Sequence, residues 1–290
     1  MTFFETWRLD PLTLIVIAIA AALYGAGVAI LARRGEHWPI LPTLGFYLLG
    51  LGGFAVVNLG FLGVYSMELR WAFTTRIALL LFAIPGLISL GLPITLAKRV
   101  LSGLPLRVTD AVLNSWPVRL FGNAVFAALF ALGAFMVFLT PLAGSLRESP
   151  LAQALITVLV PAIGILMVLP IIEQTTQRTS FFITIEFLFV FTELVIDAIP
   201  GILLRLNNHI LDQVGPVLGQ LPAWFPSSYH DQHLSGDLLW FIAEVADIPV
   251  LFVLFIRWQR IDRKEAKKVD DLSDEEAHAL TQAHLKARPQ

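Results

Sequence analysis

The sequence predicts an all-α fold, a polytopic membrane bundle of about seven transmembrane helices, and three observations carry that prediction. Hydrophobic residues make up 57% of the 290 positions and charged residues 14%, whereas a soluble domain carries about a quarter charged residues. The mean hydropathy is +0.75. The charges gather in short runs between apolar stretches of about twenty residues, the length with which a helix crosses a bilayer. Lipid offers no partner to a backbone amide or carbonyl, so such stretches must be helical. A net charge of -2 gives no basis for a nucleic-acid partner. With no cysteine, disulfides, thiolate nucleophiles and cysteine-ligated metal sites are excluded.

The first span runs from Pro11 to Leu31 and stops at Arg33-Arg34. Glu5 and Asp10 precede it, which is not the pattern of a cleavable leader, so this helix is expected to stay in the membrane. Further spans are expected at Ile40 to Tyr65, Trp71 to Ala97, Val118 to Pro141, Leu151 to Ile172, Phe181 to Leu204 and Gly236 to Ile256. Prolines such as Pro85, Pro93, Pro161 and Pro249 fall within or near their ends, which predicts kinks. The short loops leave one domain, residues 1–256 with an external loop at 205–235, and a cytoplasmic tail at 257–290.

Basic residues set the expected orientation. Arg33, Arg34, Lys98, Arg99, Arg107, Arg119, Arg178 and the tail run from Arg257 fall on one side, which the positive-inside rule makes cytoplasmic. Arg8, Arg70, Arg147 and Arg205 fall on the other, placing the N-terminus outside and the C-terminus in the cytoplasm. The external loop carries Pro216, Pro222 and Pro226 among apolar residues, as an interfacial segment would.

The sixth span carries Glu186, Glu193 and Asp197, whose separations of seven and four positions bring all three to one helix face. The seventh adds Asp237 and Glu244 at the same seven-residue spacing, and the third adds Arg76. An ionised, unpaired acid at the bilayer centre costs about 2.5–3.5 kcal/mol on the insertion scale, so these acids are expected to be paired, protonated or facing water. Arg76 is the obvious partner. Two readings stand open: a polar pathway or ligand cavity in the outer half, or interhelical hydrogen bonds of about 1 kcal/mol each that hold the bundle together.

All six histidines lie outside the expected spans. His230 and His233 in the Tyr229-His-Asp-Gln-His run would share a helix face at the outer mouth and form a candidate metal clamp, with His209 in the same loop and Asp197 as a further candidate ligand. Solvated loop histidines are the alternative. Met67 and Met136 are the methionines expected near the outer surface, too few for a Cu(I) ladder. No phosphate-binding loop, hydrolase triad or zinc-protease helix is present, and no enzyme is expected.

These residues resemble the CtaG-type cytochrome c oxidase assembly factors, a family of seven-helix proteins associated with copper supply to the oxidase. The resemblance runs from Trp7-Arg-Leu-Asp-Pro11 through Leu23-Tyr24, Arg33-Arg34-Gly35 and Trp38-Pro39, then through Pro85 to Gly91-Leu-Pro93. It is strongest in Asp231-Gln232-His-Leu-Ser-Gly236, Trp240, Glu244, Pro249, Arg257-Trp258 and Asp262-Arg-Lys-Glu-Ala266. It implies a bacterial cytoplasmic membrane, partners among haem-copper oxidase subunits or other assembly factors, and a link to copper. The family's His-Met-x-x-His pair falls here on Phe73 and Ile77, and further family histidines fall on Thr157 and Asp197. Copper binding therefore does not transfer by residue. The resemblance favours an assembly scaffold; a small transporter or ion-binding protein using the acidic stripe is the alternative.

Overall fold

The computed structural model describes residues 6–172, 188, 191–192, 196, 198–214 and 224–270. Among these, every regular element is helical. Four helices are long and apolar enough to cross a membrane: Pro11–Arg33 (α1), Ile40–Tyr65 (α2), Arg70–Ser89 (α3) and Pro150–Val168, the last within a helix that continues to Ile172. Counting the bent pair Val125–Leu139 and Pro141–Glu148 as one span raises the number to five.

Each helix begins and ends for a local reason. Asp10 caps α1 by accepting from the Thr13 amide at 2.9 Å, and Pro11 supplies the fixed φ of the first helical position. Helix α2 contains a π-helical stretch, Gly45–Leu51, and α3 another, Leu79–Ala83. The second precedes Pro85, which has no N–H to return to the Leu81 carbonyl. That carbonyl lies against Gly164, where a Cβ would come within 2.1 Å of it. Here a glycine is a requirement of packing.

The third span is shorter than its sequence predicts. The sequence places its end at Ala97, but Leu92 adopts φ 49 and Pro93 opens a separate helix, α4, at Pro93–Val100. A proline can start a helix yet cannot continue one through its own nitrogen, and the left-handed leucine makes the break. Short helices follow at Leu104–Leu113 (α5) and Trp116–Phe121 (α6). The expected fourth span, Val118 to Pro141, is broken at Gly122-Asn123: its start lies in α6, and Ala124–Met136 (α7) with a 3-10 turn at Val137–Leu139 carries the rest, after which Pro141–Glu148 (α8) bends away by 86°. Helix α9, Pro150–Ile172, matches the expected fifth span closely. Residues 198–206 form α10, and Ser228–Asp270 a continuous 43-residue helix, α11, that contains the expected seventh span.

Helix α3 lies at the centre, with Phe73, Ala78, Leu80, Leu81 and Ile84 in one apolar core with Phe54 of α2, Ala131 and Phe135 of α7, and Leu239 of α11. Helices α10 and α11 cross at two glycines: a Cβ on Gly201 would stand 2.7 Å from the Gly236 carbonyl, and one on Gly236 would stand 2.4 Å from the Gly201 carbonyl. Small residues let two helix backbones approach in this way where no hydrophobic force separates helix from lipid.

Candidate functional site

Helices α1, α3 and α9 run in one direction and α2 in the other, since Arg76 meets Asn58 and Thr157 while Leu81 meets Gly164 and Ile88 meets Gly50, so the bundle has two ends. At one end Arg34 donates to the carbonyls of Arg99 (3.1 Å) and Val100 (2.9 Å), and the Arg99 guanidinium lies 5.6 Å from the centre of the Trp38 ring. Trp38 Nε1 donates to the Tyr24 hydroxyl at 3.0 Å, which donates to the Gly91 carbonyl at 2.8 Å. This chain of contacts fastens the break after α3 to α1.

The opposite end is built from buried charge. Asp231, 1% exposed in the first turn of α11, accepts from the backbone amides of Arg70 and Trp71, each at 3.0 Å, and so serves as the cap of α3 from 160 residues away. The Arg70 guanidinium reaches Asp231 at 3.3 Å and Asp212 at 2.8 Å, and also donates to the Val214 carbonyl. Asp212 shares its second oxygen with Arg147 at 3.0 Å, and Arg147, 1% exposed, donates to the carbonyls of Met67 and Glu68. Gln232 accepts from the Leu211 amide and donates to the His209 carbonyl, each at 2.9 Å; Thr74 and Ser235 join their hydroxyls at 2.7 Å. Two cations and two anions thus neutralise one another while tying α3, α8, α11 and residues 207–214 together. Burial pushes the Asp231 carboxyl up from its ordinary range, against the pull of the two amides, Arg70 and Arg147.

A second polar group lies beside the first. Arg76, 5% exposed in α3, donates Nε and Nη2 to Asn58 Oδ1 at 3.1 and 2.9 Å, Nη2 also to Thr157 at 2.7 Å, and Nη1 to Ser66 at 3.3 Å and to Gln153. Every one of these acceptors is neutral. Arg76 lines a cavity of about 100 Å³ together with Arg8, Asp10, Asn58, Gln153 and Thr157.

Of the acids expected near Arg76, the two that are described, Asp237 and Glu244, are engaged elsewhere. Asp237 is half exposed and pairs with Arg205 at 3.4 Å, while α2 and α9 supply enough neutral oxygens to occupy the Arg76 donors. Glu244 accepts from the indole N–H of Trp240, one turn before it. Glu186, Glu193 and Asp197 lie outside the described residues. His230 is exposed and His233 half-buried, on the first turns of α11; the intervening Asp231 and Gln232 face inward. Among the described residues no group of three or more histidine or acidic side chains is placed to hold a metal ion. Of the two positions where the resemblance places the family's opening histidines in α3, Phe73 is core and Ile77 packs against it, while Thr157 serves Arg76.

Sequence reading missed Arg70, Arg147, Asp212 and Asp231 because each sits at a span's edge, where a charge reads as solvated. The available signal was the Asp231-Gln232 motif, prominent in sequence and now seen to be buried.

The fold and this site define a class: a helical protein with several apolar helices of membrane-crossing length and a buried polar assembly at one end. The sequence profile of the cytochrome c oxidase caa3 assembly factor family (Caa3_CtaG) matches residues 22–261, and the chain belongs to that family. It is 27% identical over 288 residues to uncharacterized proteins of Mycobacterium bovis and Mycobacterium tuberculosis, covering 94% of this chain and 43% of each relative. An uncharacterized protein of Mycobacterium leprae is 26% identical over 285 residues, covering 94% of the chain and 42% of that protein. The chain thus spans less than half the length of these relatives. No solved structure matches it.

Proposed function

We propose that the chain is a non-catalytic, membrane-embedded factor in the assembly of a haem-copper oxidase, acting in a bacterial cytoplasmic membrane by presenting a fixed helical scaffold to oxidase subunits or other assembly proteins. The observation that carries this reading is the family match over residues 22–261, a range that includes Arg70, Arg76, Arg147, Asp212 and Asp231. The proposed orientation places the Asp231 end outside, supported by the gathering of Arg33, Arg34, Lys98 and Arg99 at the other end. In this reading all seven predicted spans cross, including the sixth.

Copper enters as a proposal only at the rim. His230 and His233, at spacing i, i+3 on α11, are the candidate ligands, with Asp197 as a third; imidazoles of this kind suit copper better than the hydroxyl and amide groups around Arg76. A scaffold that binds no copper is favoured by the residues at the core positions, Phe73 and Ile77.

Deleting the gene and measuring cytochrome c oxidase activity in membranes from cells grown at low and at high copper tests the proposal. Loss of activity at both copper levels is the expected result. Loss that added copper restores would transfer the role to copper delivery and direct attention to His230 and His233. Unchanged activity at both levels would end the assembly reading.

A further inference from the structure

The cavity beside Arg76 does not end at its polar walls. Thr157 of α9, which donates nothing to lipid because its hydroxyl serves Arg76 and the Gln153 carbonyl, also lines an apolar groove of about 480 Å³. Val16 and Ala20 of α1 form one side of that groove, Val158 and Ala162 of α9 the other, and Phe54 and Ile88 are among its remaining walls. The groove extends to Pro93, Ile94 and Ala97 of α4, near the opposite end of the bundle. The polar chamber and the apolar groove therefore share one wall residue, Thr157.

The charge of the chamber is unequal. Arg76 and Arg8 bring two positive charges and Asp10 one negative charge to its lining. Asp10 accepts through Oδ2 from both the amide and the hydroxyl of Thr13 as the cap of α1 and keeps its charge, so the lining carries one net positive charge. The five N–H bonds of Arg76 go to neutral oxygens, which fix the guanidinium without cancelling its charge. Arg8 is exposed at the same cavity. Among the described residues Arg76 makes no salt bridge, and a lining with one net positive charge in a weakly polar surrounding attracts an anion.

We propose that the cavity and groove together bind one anionic phospholipid, its phosphate at Arg8 within the field of Arg76 and one acyl chain lying between α1 and α9. Charge complementarity selects the headgroup, and the apolar groove on a helix pair of membrane-crossing length selects a chain. From Thr157 to Ile165 the groove follows α9 for about 12 Å, a distance over which an acyl chain makes continuous contact. The neutral oxygens around Arg76 act as positioning groups that hold the cation where the phosphate sits.

The test uses the full chain in mild detergent, with native mass spectrometry after exchange against equal amounts of phosphatidylglycerol and phosphatidylcholine. Retention of phosphatidylglycerol over phosphatidylcholine by at least about fivefold is expected, since a basic side chain near a lipid headgroup is worth roughly that factor. Arg8→Gln, on an exposed side chain that the fold does not need, should lower the preference by about the same factor; Arg76→Gln should lower it further. Ala162→Trp should abolish retention of either lipid by filling the groove. Equal retention of both lipids by the wild type, or a preference that Arg8→Gln leaves intact, overturns the proposal. So does displacement of the bound lipid by millimolar inorganic phosphate, because a site for free phosphate needs no chain.

Discussion

Two buried arginine assemblies lie at the same end of the bundle and solve the same problem differently. Arg70 and Arg147 are held by Asp212 and Asp231, each carboxylate placed by backbone amides or shared between two guanidiniums. Arg76 is held by Asn58, Ser66, Gln153 and Thr157, which bear no charge. The first assembly is electrically complete: removing a member exposes an unpaired buried charge, so its function is to lock helices. The second keeps its charge available to whatever enters the adjoining cavity. The difference shows that burial of an arginine does not by itself mark a site; what surrounds it decides.

The largest expected effect breaks the complete assembly. Asp212→Ala leaves Arg70 and Arg147 without a shared carboxylate and should destabilise the protein by about 3–5 kcal/mol, seen as a lower midpoint of thermal unfolding followed by tryptophan fluorescence in detergent. If Asp212→Ala and Arg76→Gln lower the midpoint equally, the distinction between lock and site fails. Next in size, Gly164→Ala should cost about 1–3 kcal/mol or more, because its Cβ collides with the Leu81 carbonyl and forces α9 away from α3; an unshifted midpoint would show that this contact has room to relax.

Asp231→Asn sharpens the comparison through pH. It should cost about 1–3 kcal/mol, since an amide cannot accept from both the Arg70 and Trp71 N–H groups as a carboxylate does. Burial raises the Asp231 carboxyl in the folded protein, so the folded state holds its proton more tightly than the unfolded chain. The resulting stabilisation is fully present below the ordinary carboxylate range, roughly pH 4, and is lost as pH rises through the raised value. The margin of wild type over Asp231→Asn should therefore shrink as pH rises from about 4, measured by the same unfolding assay. The smallest effect is expected at the other end: Tyr24→Phe removes the hydrogen bond to the Gly91 carbonyl and should cost about 0.5–1.5 kcal/mol.

Much of the fold was legible because lipid leaves the chain few choices. Spans beginning at Pro11, Ile40 and Leu151 follow from length and hydropathy alone. The breaks were not: whether the third span stops at Ser89 or Ala97 depends on Leu92 taking a left-handed conformation, and composition is silent on that. The site was legible in part. Arg76 stood out as a charge amid apolar residues, yet its neighbours are Asn, Ser, Gln and Thr drawn from α2, α9 and the turn before α3, and no periodicity announces a set of uncharged oxygens converging from separate segments. The motif residues that carry the family resemblance, Tyr24, Trp38, Gly91, Asp231 and Gln232, turn out to be the contacts that fasten the two ends.

The long helix α11 carries one more implication. At 1.5 Å per residue its 43 residues extend about 65 Å, roughly twice the hydrocarbon thickness of a bilayer. At tilts of up to about 40°, the range seen for membrane helices, roughly 40% or more of it stands clear of the acyl chains. Asp231 and Gln232 anchor its first turns to α3 and to residues 207–214, and Pro249 is the position along it where a backbone N–H is missing from the helical ladder. The direction of the whole helix is therefore set by the contacts its first turns make with α3 and with residues 207–214.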